Sequence, residues 1–314
     1  MATTTTNNNH ALGVPSIIRE ALNLPQKNPK LSLSIVLLVF LTDYPLSLSH
    51  HLLMSPRLIT LVDNDSDYNL TDPPSTNTGL IISIESLFFI ALSVLSLFTM
   101  SVTVHASSAT YTNKHVTLHD SIRSPLLKWK NPFVTLGYVF LITVAYALLM
   151  SVILGSLMLF SSGSPFFVIL ITCVGLFLTV FYIHFSVVWM LGLTVSIVED
   201  ECYGMDALVR ANKVIEGRKS DGFLLMVMLL LLYVPVTGLG YVNLVDDDLG
   251  QVGRVVGGVV VVVLMCLVKL FGFVGFVVFY YECKKGHGEK VEMESLGYAV
   301  VPNSALDDVD ADLP

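Results

Sequence analysis

Three charged side chains stand inside long apolar stretches of this sequence, and they are the first residues whose types could do chemistry. Asp43, Glu85 and Lys269 interrupt runs of Leu, Val and Phe, where a charge costs about 2.5 to 3.5 kcal/mol at the centre of a bilayer. Counted along a helix from the same boundary, Asp43 and Lys269 both lie about 18 Å deep. They are interpreted either as part of a proton or ion path or as an ion pair that joins two helices, while Glu85 lies near a helix end, where it reaches interfacial water.

Sites of other kinds have little support in the sequence. There is no glycine-rich phosphate loop, no Gly-x-Ser-x-Gly elbow and no pair of carboxylates placed for acid-base catalysis. His50, His51 and His184 could bind a metal, but beyond the adjacent pair no second His or Cys stands at ligand spacing, so helix-interface histidines are favoured. The acidic run 246–248 lacks the distributed oxygens of a calcium loop and is interpreted as a solvated turn. The sequence thus predicts no catalytic residue, no metal and no cofactor.

The segments that hold these charges have the composition of membrane-spanning helices. Of 314 residues, 54% are apolar and 13% are charged, against about 25% charged in a typical soluble domain. The apolar residues are gathered in six segments, which are approximately 31–54, 79–104, 132–160, 166–198, 222–241 and 255–281. Each is close to or above the roughly 20 residues that cross a bilayer. The predicted fold class is all-α, an integral membrane helical bundle of about six transmembrane helices in a domain spanning 31–281.

Lysine and arginine are distributed unevenly among the segments between these helices. Fourteen of the 17 Lys and Arg residues fall in the N-terminal segment 1–30, in the loops 105–131 and 199–221, and in the tail 282–314. Because positively charged loops stay on the cytosolic side, the alternation predicts that both termini lie in the cytosol, N-in and C-in. The tail is acidic and is expected to be disordered and solvated, so neither the tail nor the net charge of −8 indicates a nucleic-acid partner.

Three residues are candidates for covalent modification. Asn64 and Asn69 each begin an Asn-x-Ser/Thr acceptor triplet for N-glycosylation, in the first loop predicted on the lumenal side. Cys283 precedes two lysines directly after the last predicted span, a position that suits reversible palmitoylation. These sites would lie on opposite sides of one membrane.

Two short segments have the pattern of amphipathic helices at a membrane surface. Residues 14–24 place apolar side chains at helical spacing opposite Arg19 and Glu20. In the second segment, 204–217, the apolar residues predicted to share one side are Met205, Leu208, Val209 and Ile215. The basic residues that cover much of the remaining surface and follow the helix are Arg210, Lys213, Arg218 and Lys219. We predict that this interfacial helix faces lipid at the cytosolic leaflet and attracts anionic lipid.

The stretch that joins the fourth and fifth spans carries a family resemblance. Residues 186–223 read SVVWMLGLTVSIVEDECYGMDALVRANKVIEGRKSDGF: a long span, an acidic residue, a Gly, an Ala-Leu helix, a basic Gly-Arg-Lys exit and another span. This pattern resembles plant polytopic membrane proteins of unknown function, which are related to bacterial membrane proteins and to the membrane domain of some glycerophosphodiester phosphodiesterases. The resemblance implies a helical bundle in an endomembrane, such as the endoplasmic reticulum, or in the plasma membrane, and it implies no activity. The soluble phosphodiesterase barrel has no counterpart here.

Three functions are compatible with these features. The leading hypothesis is a non-enzymatic membrane protein that organises lipid, including anionic lipid, or partner proteins through its interfacial helices, cytosolic loops and tail. The alternative is a small-solute or ion transporter that uses Asp43, Glu85 and Lys269 in the bundle interior. A membrane-embedded enzyme acting on lipid is the third, and it requires a cluster of His, Asp or Glu near one leaflet.

Overall fold

The helical fold was obtained as a computed structural model that describes residues 13–64, 76–114, 116–160, 165–245 and 251–287. Within these ranges all regular structure is helical, so the prediction of an all-α fold is confirmed. The helices, in chain order, are α1 (Val14–Lys27), α2 (Pro29–Asn64), α3 (Thr76–Tyr111), α4 (Leu118–Leu127), α5 (Lys130–Phe160), α6 (Pro165–Val198), α7 (Met205–Val214), α8 (Lys219–Val245) and α9 (Gln251–Gly286).

Six of the described helices, α2, α3, α5, α6, α8 and α9, are long and apolar enough to cross a membrane. They correspond one for one to the six predicted segments, and the chain is a multi-pass membrane protein. The bounds agree best for α6, which was predicted at 166–198 and begins at Pro165. They agree least for α2, which continues past residue 54 to Asn64, and for α3, which continues past residue 104 to Tyr111.

The first helix packs into the bundle and does not form a separate segment. Its buried side chains, which repeat at helical spacing, are Val14, Ile17, Ala21 and Leu24. The helix contacts α2, α3 and α9, while an ion pair between Lys27 and Glu20 at 2.6 Å lies on its outer side. The predicted boundary at residue 30 therefore does not divide the fold, because protein covers the face that was expected to meet the membrane surface.

The buried residues gather in one half of the bundle, which we call the packed half. The packed half comprises α1, α4 and α7 with the adjoining parts of the long helices, residues 31–39, 97–111, 130–136, 186–198, 219–229 and 266–286. Tyr280, Phe276 and Phe279 are among its largest fully buried side chains. The opposite part, which we call the open half, comprises residues 83–96, 139–159, 165–185, 230–240 and 255–265, and none of the side chains described there is buried.

Polar contacts fix the hairpin of α5 and α6 at its packed end. Lys128 donates to the Asp200 carboxylate at 2.6 Å, and the Asn131 amide donates to the Asp200 carbonyl oxygen at 2.9 Å. The Gly204 N–H donates to Thr135 Oγ1 at 2.8 Å. Gly204 has a φ of +63°, a conformation that glycine adopts without steric cost. We call these three contacts the hairpin clamp.

Candidate functional site

The structure brings Asp43 of α2 and Lys269 of α9 together. Lys269 Nζ donates to Asp43 Oδ2 at 2.8 Å, and 25% of the Lys269 side chain and 15% of the Asp43 side chain are exposed. The two residues are 226 positions apart, so the contact ties the first long helix to the last. Each charged group of a pair this far from water needs its partner, because either charge alone carries an uncompensated desolvation cost.

The ion pair lies on the wall of a cavity of about 790 Å³ between α2, α3, α6, α8 and α9. The apolar residues that line the cavity include Leu92, Met226, Leu229, Leu230, Phe273 and Phe276. Beyond the ion pair, polar groups come from Ser96, Tyr233 and Thr237, with the Cys266 thiol beside them. A largely apolar lining with a few converging polar groups is typical of a ligand site.

The cavity is elongated and crosses from the open half into the packed half. Its α9 wall runs from Val261 to Phe276, which is about 22 Å of helix at 1.5 Å per residue. Lys269 lies near the middle of this wall. An extended apolar chain can therefore lie along α9 while a polar group attached to it meets the ion pair.

Glu85 is not brought to this cavity. Glu85 is an exposed residue of α3, and α3 lines the cavity through Leu92 and Ser96 instead. About two helical turns separate Glu85 from Leu92. Of the three predicted intramembrane charges, the structure thus places Asp43 and Lys269 at the cavity and Glu85 away from it.

The α7 helix turns its apolar face to protein, which corrects the prediction of a lipid-facing helix. Its buried residues are Ala207, Leu208, Ala211 and Val214, followed directly by the buried Ile215. Met205 and Val209, which were predicted on the same face, are exposed. The physical reason is a close approach to α6, where a Cβ on Gly192 would lie 2.7 Å from Leu208 Cδ2.

The four basic residues predicted to face lipid lie in different environments. Two of them form ion pairs within the protein, and these pairs are Arg210 with Glu199 at 3.5 Å and Arg218 with Asp221 at 2.9 Å. Lys213 and Lys219 are exposed. Only these last two lysines keep the surface position that the prediction required of all four.

A polar cluster that the sequence did not predict lies at the end of α6, in the packed half. The Tyr280 hydroxyl donates to Glu199 Oε1 at 2.5 Å, and the Glu199 carboxylate lies 3.4 Å from Lys284 Nζ and 3.5 Å from Arg210 Nε. Glu199 therefore joins α9 and α7 at the end of α6. The sequence pattern marks Glu199 only as an acidic residue after a span, because its partners on α9 lie 81 and 85 positions away.

A second cluster joins α9 to α3 on the neighbouring side. The Tyr111 hydroxyl donates to Glu282 Oε1 at 2.8 Å, and Lys285 Nζ donates to the same oxygen at 2.9 Å. The Tyr281 ring stacks on the Tyr111 ring with 4.8 Å between centroids. These contacts explain why α9 continues beyond the predicted end of the span at residue 281.

Cys283 is a core residue, which contradicts its interpretation as a palmitoylation site. Only 1% of Cys283 is exposed, and it belongs to the same buried cluster as Val214 and Ile215. An acyl donor cannot reach this thiol unless the end of α9 first detaches. The two lysines that follow Cys283 suggested a surface position, but the side chain of Cys283 packs in the buried cluster.

The remaining predicted residues carry no described site. Asn64 is the last residue of α2. His50 and His51 belong to the same helix, but their side chains are not described. Asn69 and the run 246–248 lie outside the described residues. His184 is half-buried on α6. Among the residues that the structure describes, no group of three or more His, Cys, Asp or Glu side chains could hold a metal ion.

A small polar cavity lies beside the hairpin clamp. It has a volume of about 30 Å³, and His105, Lys128 and Asp200 line it together with several serines. Both ring nitrogens of His105 are buried, and no described group forms a hydrogen bond with them. The cavity has room for a water molecule, by which buried polar groups without a protein partner are commonly satisfied.

Within the described part of the chain, two groups outside the spans have shifted pKa values. Burial, followed by the charges of Glu199 and Asp206, raises the pKa of the Cys202 thiol, so this thiol stays protonated and weakly nucleophilic at neutral pH. Hydrogen bonds from Thr117 lower the pKa of the exposed Asp120 carboxyl, as expected for the capping box that begins α4. Both shifts have structural causes and neither indicates acid-base catalysis.

Comparison with known proteins relates the chain to a protein family. The family model described as a domain of unknown function (DUF8558) matches residues 4–300, a range that includes every described helix. No curated protein and no solved structure matches the chain.

Proposed function

We propose that this chain, which belongs to the DUF8558 family, is a non-enzymatic membrane protein that binds and organises a membrane amphiphile inside its six-helix bundle. The observation that carries the proposal is the elongated cavity of about 790 Å³ with the Asp43 and Lys269 ion pair on its wall. Ligand cavities typically measure about 300 to 1,000 Å³ and combine an apolar lining with a few polar groups. This cavity has both properties.

The proposal differs from the hypothesis drawn from the sequence in where the lipid is held. The apolar faces of α1 and α7 are buried against protein, so we place the bound lipid in the cavity and not on these two helices. As amphipathic helices at the cytosolic surface, α1 and α7 keep a secondary part in the proposal. The exposed Lys213 and Lys219 attract anionic lipid or an acidic segment of a partner protein there.

We also propose a topology and a membrane location for the protein. Fourteen of 17 Lys and Arg residues lie in alternate connecting segments and termini, which supports cytosolic positions for both ends. The pattern in 186–223 supports a relation to plant polytopic membrane proteins and to the membrane domain of glycerophosphodiester phosphodiesterases. On that basis we propose that the protein lies in the endomembrane system, such as the endoplasmic reticulum, or in the plasma membrane.

The test is photolabelling of the purified protein in nanodiscs with a phosphatidylcholine that carries a diazirine in its acyl chain. Leu230→Trp reduces the volume of the cavity, because Leu230 lines it. Leu231→Trp is the matched control, because the neighbouring Leu231 does not line the cavity and is 69% exposed. We expect labelling of cavity residues on α8 and α9 to fall about tenfold in Leu230→Trp, a change of 1.4 kcal/mol, and to stay at the wild-type level in Leu231→Trp.

Two results would contradict the proposal. In the first, labelled peptides contain only outward residues of the long helices and none that line the cavity. In the second, both tryptophan variants reduce labelling of the cavity equally, which would mean that the effect comes from a general change in α8.

A proton or small-ion transporter is the second candidate, favoured by the position of Asp43 and Lys269 on a cavity wall. Asp43→Asn and Lys269→Gln, reconstituted in vesicles that contain a pH-sensitive dye, separate the two functions. Transport requires stable variants with altered proton flux. A pair that only joins helices requires less stable single variants and partial recovery in the double variant, because removal of both charges leaves no unpaired group.

A further inference from the structure

The Asp43 and Lys269 pair has hydrogen-bonding capacity that the described residues leave unused. A lysine ammonium has three N–H donors, and a carboxylate has two oxygens with about four acceptor sites. Within the described residues, one hydrogen bond at 2.8 Å is the single ionic contact of either group. Both side chains line the cavity, so their remaining donors and acceptors are available to a ligand there.

The charge balance of the pair restricts what that ligand can be. Together the two groups are neutral, and they sit in a largely apolar lining. A ligand with one net charge would pair with one of the two groups and leave the other without its partner in a medium of low dielectric constant, which is costly. A ligand that carries both charges leaves no group unpaired, because its anion meets Lys269 and its cation meets Asp43.

We infer that the ligand is a zwitterionic amphiphile, with a phosphate beside Lys269, an ammonium beside Asp43 and an acyl chain along α9. The inference rests on the proposed function, since it specifies the ligand of the same cavity. The four charges then alternate in sign, and each has an opposite neighbour. The Lys269 N–H groups donate to the phosphate in charge-assisted hydrogen bonds, which are about twice as strong as neutral ones, while the ammonium attracts the Asp43 carboxylate through its charge.

The rest of the lining fits the neutral parts of such a molecule. The α9 wall from Val261 to Phe276 is about 22 Å long and presents mainly apolar side chains to an acyl chain. Ser96, Tyr233 and Thr237 add hydroxyl groups, which can meet the ester and glycerol oxygens of a lipid. A purely apolar ligand would leave these groups and the ion pair without new partners.

The experiment measures competition at the cavity with four single-chain amphiphiles that share one acyl chain. Their head groups are phosphocholine, which is zwitterionic, a carboxylate, a trimethylammonium and an uncharged glycerol. Each competes with the diazirine-bearing phosphatidylcholine for labelling of cavity residues in wild-type protein. We expect the phosphocholine amphiphile to compete about tenfold better than each of the others, as for one added charge-assisted contact.

Reciprocal charge variants sharpen the same measurement. Asp43→Asn should weaken competition by the phosphocholine amphiphile about tenfold and favour the carboxylate, while Lys269→Gln should weaken it equally and favour the trimethylammonium. The exchanged double variant, Asp43→Lys with Lys269→Asp, should recover the preference for phosphocholine. The double variant also controls for folding, because it keeps the ion pair.

The outcomes separate the two proposals. If the probe never labels the cavity of wild-type protein, the proposed function is wrong. If the probe labels the cavity but the uncharged amphiphile competes as well as phosphocholine, the head-group inference alone is overturned. An unchanged order of competition in both single variants overturns it as well, and where a variant does not fold, the wild-type order decides.

Discussion

The packed half and the open half of the bundle contain the same kinds of apolar residue, but they use them differently. Phe279 in the packed half is fully buried, whereas Phe140 in the open half is half-exposed. Lipid tails are as apolar as leucine, so apolar content alone gives helices little reason to associate within a membrane. The packed half must therefore be held by other features.

Small residues and polar contacts are the features that distinguish the packed half. A Cβ on Gly222 of α8 would lie 2.7 Å from Val187 Cγ1, whereas a Cβ on Gly238 of the same helix would meet nothing within 4 Å. The carboxylates of Glu199 and Glu282 join α9 to its neighbours. Close backbone approach and buried polar contacts, more than apolar composition, therefore decide where these helices pack.

The largest expected difference between the halves comes from removing a phenylalanine in each. Phe279→Ala should lower the free energy of unfolding by about 3 to 5 kcal/mol, because it leaves a cavity in packed protein. Phe140→Ala should change it by less than about 0.5 kcal/mol, as for exposed positions generally. Unfolding in mixed micelles at increasing denaturing-detergent fraction measures both, and equal losses would end the distinction between the halves.

Adding volume at the two glycines of α8 should give the next largest difference. Gly222→Val forces a side chain against Val187 and Phe279, and we expect a loss of about 1 to 3 kcal/mol from overpacking. Gly238→Val has open space around it and serves as the matched control within the same helix. The melting temperature of each variant in nanodiscs checks the prediction, which fails if Gly238→Val is the more damaging change.

The smallest effect should come from a single hydroxyl group. Tyr280→Phe removes the donor to Glu199, and we expect a loss of about 1 kcal/mol, since Lys284 and Arg210 remain close to the carboxylate. Tyr182→Phe, at a partly exposed residue of the open half that does not line the cavity, is the control and should be neutral. If Tyr280→Phe lowers the free energy of unfolding no more than the control does, the polar cluster does not stabilise the packing.

The sequence was sufficient to predict the helices, and it offered one contact between them as one of two interpretations. Long apolar runs with few charges predict spans because backbone groups in lipid must be paired within a helix, and the ends of α6 agree with the prediction within a residue. Equal depth also placed Asp43 and Lys269 at one level, where the structure pairs them. Helical rise and hydropathy contain this information.

What the sequence could not supply is the identity of the surface that each apolar face meets. The faces of α1 and α7 have the pattern of lipid-facing helices, yet both are buried in protein, and the pattern is the same in either case. The polar cluster around Glu199 was missed because its partners are distant in sequence. Cys283 was misassigned because two neighbouring lysines say nothing about which way the helix turns.

The hairpin clamp has a mechanical consequence. The α5 and α6 hairpin is fixed through Thr135, Asn131 and Lys128 at one end, and none of its described side chains in 139–159 or 165–185 is buried. Helices commonly adjust to bilayer thickness by tilting at small energetic cost. Because this hairpin is held at one end, we expect it to tilt about that end when the bilayer becomes thinner or thicker. The change in tilt would then act on the turn at Gly204, next to the polar contacts of Glu199.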